Sequence, residues 1–223
     1  MLITGYCTVK PQALRLNGSI VFEDQSHDPA VFLKSCYRNL NLQYPKFFKM
    51  DNLSKLGFLA VEYLLKGVHL QERYLPEEIG LVLQNGSSSL ETDEKHQESI
   101  GDRQNYFPSP SVFVYTLPNI MAGEISIRHK MKGENAVFIS QGPDAGQLFD
   151  FVSELFLQKR VQCCITGWVE AFHDTLDARL VLVEKKEKVK SYPEDREMII
   201  FGLSNFEGIL NEASQHARID GKA

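Results

Sequence analysis

No stretch of this 223-residue chain approaches the ~18 consecutive apolar residues of a membrane-spanning helix. Its opening, MLITGYCTVKPQ, lacks the basic start and long apolar core of a secretory signal, so none is expected. Positive charge is also short. Lys and Arg number 24 against 29 Asp and Glu, for a net charge of −5 and a pI near 5.7. That balance argues against nucleic acid and anionic membranes, both of which call for clustered cations. Cysteine appears only four times, as Cys7, Cys36, Cys163 and Cys164. The spacing fits neither a zinc site nor a disulfide framework. The adjacent Cys163 and Cys164 read as two small reduced core side chains, which suits a cytoplasmic protein. None of the six histidines (His27, His69, His96, His129, His173 and His216) falls in an HxxH or HExxH pattern. No metal and no cofactor is expected.

What is present is a globular composition, 43% hydrophobic, with enough apolar residues for a sizeable core. The length suits one large domain or two small ones, and one domain over 1–223 is expected. Ile3 to Val9 reads as a strand stopped by Pro11. ALRLNGSIVFED reads as a hairpin turning at Asn17 and Gly18. Asp28 and Pro29 mark a helix over Ala30 to Asn39. A longer one is expected from Asp51 to about Lys66, stopping at Gly67, with Leu53, Leu56, Ala60, Tyr63 and Leu64 at helical spacing. IGLVLQNG is a buried strand. The polar segment NGSSSLETDEKHQESIGDRQNYFPSP is expected to be an exposed crossover with one helical turn. SVFVYTLPNIMAGEISIRH should be helical, interrupted at Pro118 and Gly123. ENAVFIS is a compact strand. DAGQLFDFVSELFLQKR is the clearest amphipathic helix, with Leu148, Phe151, Val152, Leu155 and Phe156 as its apolar stripe. Lys159 and Arg160 sit at its C-terminal end, where the helix dipole favours cations. VQCCITGWVEAF and ARLVLVEK form two strands joined by a turn near Asp174. EKKEKVK is a solvated strand end and loop, and a weaker helix signal covers Phe206 to His216. Strands alternating with helices imply an α/β domain with a mostly parallel sheet.

Between the ENAVFIS strand and the long amphipathic helix lies ISQGPDAG, a strand-to-helix turn of the kind that carries nucleophiles in many α/β enzymes. Here it holds Gly142, Pro143 and Asp144. Pro143 suits a first helical turn, where an N–H is unpaired anyway, and Asp144 suits a capping position. Ser140 is the nearby hydroxyl, read either as an end-of-strand cap or as a nucleophile without an evident base.

Several stretches together resemble the N-terminal half of a β-ketoacyl synthase, of the thiolase-like superfamily. LITGYCTVKP resembles its opening strand, KMDNLSKLGFLAVEYLL its first long helix, and LVLQNGSSSLET its strand and small-residue loop. FPSPSVFVYTLPNIMAGEISIRHKMKGENAVFIS keeps Pro118, Asn119, Gly123, Ile125, Arg128, Gly133 and Asn135 in register. CCITGWVEA resembles the strand that ends in Gly167 and Glu170. The resemblance covers about residues 1–172, leaving 173–223 as the end of a strand hairpin and a C-terminal extension. It implies half of a thiolase-like fold, a mixed, mostly parallel sheet with helices on both faces.

The departures from the family carry the functional expectation. Aligned on the family's elbow, Pro143 stands where the nucleophilic cysteine belongs. The two catalytic histidines belong to a second, similar half that this sequence does not contain. Proline supplies neither a thiolate nor an N–H, and losing an oxyanion donor alone costs about 3–4 kcal/mol. Gln141 resembles the glutamine of family members that only decarboxylate, but those retain the histidines. The resemblance therefore implies no catalytic residue and a silent, chain-length-factor-like subunit paired with an active ketosynthase, or self-associated. Aryl polyene or related pigment synthesis is the preferred setting. It also implies that ENAVFIS lies at the dimer two-fold, and that Phe113, Tyr115, Leu117, Pro118, Asn119, Ile120, Met121, Gly123, Arg128 and Phe138 line the acyl tunnel or interface. Acyl carrier protein is a further candidate partner. Two alternatives remain: a standalone acyltransferase, hydrolase or decarboxylase using Ser140 or another group, and a carrier-binding regulator. The net negative charge counts against the regulator, because carrier proteins are acidic too.

Overall fold

The computed structural model describes residues 1–102, 104, 106–189 and 198–216, with side chains omitted over 212–216. The end of EKKEKVK and the last residues of the tail lie outside that range, as do Arg103 and Asn105 in the crossover.

Among the described residues, eight strands form one sheet. They are β1 (Leu2–Lys10), β2 (Ala13–Leu16), β3 (Ser19–Glu23), β4 (Ile79–Asn85), β5 (Asn135–Ile139), β6 (Cys163–Phe172), β7 (Thr175–Glu184) and β8 (Ile199–Ile200). Their order is β3-β2-β1-β7-β6-β4-β5, with β8 also pairing β1. The α/β class and the mixed sheet are as expected, but the balance of directions is not. Only β4 pairs in parallel, with β5 and β6, and the other five pairings are antiparallel. The expectation of a mostly parallel sheet is corrected. The β2–β3 and β6–β7 connections are tight hairpins, which force antiparallel neighbours, whereas β4 to β5 is a long helical crossover.

Helices cover both faces. Pro29–Asn39 (α1), Asn52–Leu64 (α2) and Ile120–His129 (α5) pack on one, and Ala145–Leu157 (α6) and Leu203–His216 (α7) on the other. Side chains alternate across the sheet, so Cys163 and Ile165 join the first core while Cys164 joins the second. All four cysteines are free and buried, and burial pushes the Cys36 thiol up to about 12. α2 is buried on most of its circumference, between the sheet, α1 and α5. Its cap is Asp51, which accepts from the Ser54 N–H at 2.9 Å and from Thr92 Oγ1 at 3.1 Å. α1 starts as expected, with Asp28 accepting from the Ala30 N–H at 2.7 Å and Pro29 leading the helix.

Two local expectations fail. The polar crossover contains a full helix, Leu90–Gly101 (α3). It buries only Thr92 and is braced by a Glu91–Lys95 ion pair one turn apart, so it carries no apolar periodicity to detect. Gly123 does not interrupt α5; only Pro118 separates α5 from Pro110–Phe113 (α4) and the 3₁₀ turn Val114–Thr116. Tertiary packing overrides the low helix propensity of glycine.

The tail contributes to the second core. Phe201, Phe206, Ile209 and Leu210 pack with Leu148, Val152, Val181 and Val183. The buried Arg179 donates to the Leu210 carbonyl and forks onto Asp177 at 2.6 and 2.8 Å. The exposed residues of α6 and α7 include the polar Gln147, Asp150, Glu154, Ser204, Asn205 and Glu207, and also the apolar Leu157 and Leu203. Among the described residues, no helix is long and apolar enough to cross a membrane.

Candidate functional site

The strand-to-helix elbow between β5 and α6 is built on the C-terminal ends of β4 and β5. Ser140 N–H donates to the Asn85 carbonyl at 3.0 Å, which extends the parallel pairing one residue past β5. Ser140 Oγ donates to the Gly142 carbonyl at 2.8 Å. Its proton is thus used to brace the turn. Asp144 is the N-cap and accepts from the Gln147 N–H at 2.9 Å. Pro143 therefore lies one residue outside the helix, not within its first turn as expected. An N-cap needs extended backbone and a side-chain acceptor, and Asp144 supplies both. From Ile139 to Gln147, Ser140 is the only hydroxyl, and there is no thiol and no imidazole.

Gln84 secures the elbow from below. It is fully buried. Its Oε1 accepts from the Asp144 N–H at 2.9 Å and its Nε2 donates to Gln147 Oε1 at 2.7 Å. Beside it, the loop after β4 closes on Glu170. That carboxylate accepts from the Gly86 N–H at 2.7 Å, the Ser87 N–H at 3.1 Å, Asn85 Nδ2 at 3.1 Å and Ser87 Oγ. A Cβ at Gly86 would meet Glu170 Oε2 at 3.0 Å and Trp168 at 3.2 Å, so a larger residue would push the carboxylate or the ring aside by a few tenths of an ångström. An open groove runs from Gly142 and Pro143 to Leu203 and Glu207 at the start of α7. Gln84 and Asn85 were read only as part of a buried strand and α7 only as a weak helix signal over Phe206 to His216, none of them as part of this site. The available signal was two amides ending an otherwise apolar strand.

The resemblance-derived residues divide. Phe113, Leu117, Pro118 and Asn119 lie exposed together around α4 and the start of α5, with Ile120 half-buried beside them. Tyr115 and Met121 are inside the first core. Tyr115 donates to the buried Glu124 at 3.0 Å, and Glu124 pairs with Lys46 at 2.7 Å. Met121 packs on Gly57, where a Cβ would come within 2.6 Å of Sδ. Gly123 is half-buried. Arg128 sits at the far end of α5, bonded to Glu62 at 2.6 Å, with its guanidinium 5.0 Å from the Tyr44 ring centroid. Phe138 is half-buried on β5, edge-on to Phe151 at 5.0 Å.

β5 is one edge of the sheet. Its residues Asn135–Ile139 carry no charge and no proline, and all are half-buried or exposed. Such an edge has unpaired backbone groups and none of the usual devices against strand pairing.

The histidines do not converge on the elbow. His129 is at the end of α5, and burial holds its imidazole down at about 4. His96 packs on Phe113, and His27, His69 and His173 are exposed. His216 closes α7, with its side chain outside the described set.

No family model matches the sequence, and no curated protein matches it. Solved structures do match. "The ishigamide ketosynthase/chain length factor" aligns with a TM-score of 0.62 at 19% identity, over 86% of this chain and 64% of the other. A type II acyl-carrier protein in complex with its ketosynthase bound to a hexaketide (AntDE:AntF) gives 0.60 at 15%, over 85% and 64%. The ketosynthase ApeO with its chain length factor ApeC, from Xenorhabdus doucetiae, gives 0.53 at 14%, over 82% and 78%. This chain thus spans just under two thirds of the first two. At these identities the likeness is one of fold, and the fold is that of the ketosynthase and chain-length-factor chains.

Proposed function

We propose that this chain is a non-catalytic, chain-length-factor-like subunit. It pairs with an active β-ketoacyl carrier-protein synthase in fatty acid or polyketide-type synthesis, with aryl polyene pigment synthesis as the preferred setting. The observation that carries this reading is a ketosynthase-like elbow with no thiol, whose single hydroxyl donates its proton to a backbone carbonyl. Decarboxylative condensation needs a nucleophile to hold the acyl group and a cationic or hydrogen-bonding group to stabilise the enolate. Neither stands at Ile139–Gln147.

Pairing through β5 is the second half of the proposal. An uncharged edge strand that ends in the exposed Ile139 favours closure by another chain, and Phe113 and Leu117 add exposed apolar surface. On this reading Pro143 stands in the place of the reactive cysteine. Phe113, Leu117, Pro118, Asn119, Ile120 and Phe138 face the partner or its acyl channel, while Tyr115, Met121 and Arg128 support them from within.

Mixing with an intact ketosynthase and weighing the complex by mass photometry tests this. A one-to-one complex that Val137→Lys abolishes is expected. A chain that stays apart from every ketosynthase encoded beside it, or that elongates a thioester unaided, overturns the proposal.

A further inference from the structure

Where α1, α2 and α5 end, they part around a cleft of about 590 Å³. Sites for small molecules typically span roughly 300–1,000 Å³. Asn135, the first residue of β5, donates to Ser126 in the last turn of α5 at 2.8 Å. The cleft therefore lies toward the start of β5, and the elbow is at that strand's other end. Leu40, Leu42, Leu65 and Val68 form an apolar wall that continues the first core. Gln71 Nε2 donates to the His129 carbonyl at 2.5 Å and ties the loop after α2 to the end of α5. Glu62, Arg128, His129 and Lys130 form the polar side. Helix C-termini attract cations, which accounts for basic residues at the end of α5. It does not account for how they are held. Arg128 donates from Nε to Glu62 at 2.6 Å, and its guanidinium is 5.0 and 5.9 Å from the ring centroids of Tyr44 and Phe58. Its other N–H groups make no hydrogen bond among the described residues. Lys130 caps α5 with a φ of 53°, the left-handed conformation that glycine adopts with least strain. Its amine pairs with no carboxylate among the described residues. His129 Nε2 is buried without a hydrogen-bond partner, 3.5 Å from Glu62 Oε1. Polar groups left unused beside an apolar wall call for a partner that the fold itself does not supply.

We propose that this cleft binds a small apolar monocarboxylate, with Arg128 and Lys130 on its carboxylate and Leu40, Leu42, Leu65 and Val68 on its hydrocarbon body. A guanidinium fixed through Nε to one carboxylate still presents terminal N–H groups to a second. The sign of the ligand follows from the lining. Lys66, Arg128 and Lys130 are cationic against the single carboxylate of Glu62, in a chain whose net charge is −5. Glu62 also sets the limit. It is already bonded to Arg128, so a monoanion balances the site, whereas a dianion such as a phosphate monoester meets repulsion. His129 adds no charge at neutral pH, since burial holds its imidazole down at about 4. A neutral amphiphile forgoes the ion pair, and an amine faces the three cations. The proposal is independent of pairing through β5 and uses no residue of the elbow.

The test titrates the full chain with octanoate by calorimetry and follows its backbone amides by NMR. Saturable one-to-one binding is expected, with shift changes centred on residues 40–42, 65–71 and 128–130. Acetate, which lacks the apolar body, and octylamine, which reverses the charge, should each bind about tenfold or more weakly, and octyl phosphate no tighter than octanoate. Arg128→Gln should weaken octanoate binding by about tenfold or more, through loss of a charge-assisted pair, and Lys130→Gln several-fold. Lys186→Gln, outside the cleft, should leave it unchanged. Circular dichroism on each variant separates lost binding from lost fold, and the exposed Lys130→Gln carries the test if Arg128→Gln unfolds. No saturable binding, equal binding of octylamine, tighter binding of octyl phosphate, or shift changes centred elsewhere overturns the proposal. So does binding that is indifferent to both charge variants.

Discussion

Gln84 and Gln147 meet amide to amide across the floor of the elbow, Nε2 to Oε1 at 2.7 Å, while the other end of Gln84 accepts the Asp144 N–H at 2.9 Å. One buried side chain at the end of β4 thereby fixes both the N-cap and the first turn of α6. Gln84→Leu removes both bonds and strands the Asp144 N–H. A loss of about 0.5–1.5 kcal/mol per bond is expected in urea unfolding, the net worth of a part-buried hydrogen bond. An unchanged midpoint would mean that the elbow is held elsewhere.

Met121 and Gly57 form a knob and hole between α5 and α2. Gly57→Ala places a methyl within 2.6 Å of the sulfur and should cost about 1–3 kcal/mol through overpacking. Met121→Ala should cost about 2–5 kcal/mol through the cavity it leaves. The double variant should recover part of the sum, because the new methyl enters the vacated space. Strict additivity in a double-mutant cycle would count against direct contact.

His129 sets a pH dependence. Burial is the larger cause of its depressed value of about 4, Arg128 adds to it, and Glu62 opposes both. The ring is neutral in the folded state over a range where the unfolded state, near 6.5, binds a proton. Stability from this group is therefore complete above about pH 6.5 and declines as pH falls toward 4. Comparing the wild type with His129→Gln between pH 4 and pH 7 isolates it. The wild-type stability should fall more steeply with acidification, and parallel curves would contradict the assignment.

Phe206 is fully buried in the second core. Phe206→Ala should cost about 3–5 kcal/mol and lower the single unfolding transition as a whole. A separate early transition confined to α7 would show instead that the helix is an appendage.

Ser140 has its hydroxyl turned to the Gly142 carbonyl. Incubation with acyl- and malonyl-carrier thioesters should leave the intact mass unchanged in the wild type and in Ser140→Ala. An adduct of acyl mass that Ser140→Ala removes would establish the standalone enzyme.

Much of the element order was legible because it is local. Asp28 with Pro29, Asp51 ahead of α2, and the stripe of α6 each announce their helix within a turn or two. α3 was not legible, since a helix with one buried residue has no apolar period to detect. The site was legible in what it lacks and illegible in its supports. The absence of a thiol from ISQGPDAG is plain in the sequence. The clamps on the elbow come from residues some 60 positions away in Gln84, and the β4 loop is held from 84 positions away by Glu170.

Pairing is the reason for that division. Hydrogen bonds and side-chain spacing within a segment determine whether it is helix or strand, and which reactive groups it can offer. By itself, then, the sequence determined most of the order of strands and helices, the caps, the core cysteines and the absence of a thiol from ISQGPDAG. Strand direction depends on which distant segment supplies the facing backbone, so the predominantly antiparallel sheet was decided only in three dimensions. The same holds for the packing of the tail helix that closes the second core. Each arises from contacts between residues far apart in the chain, which no local pattern records.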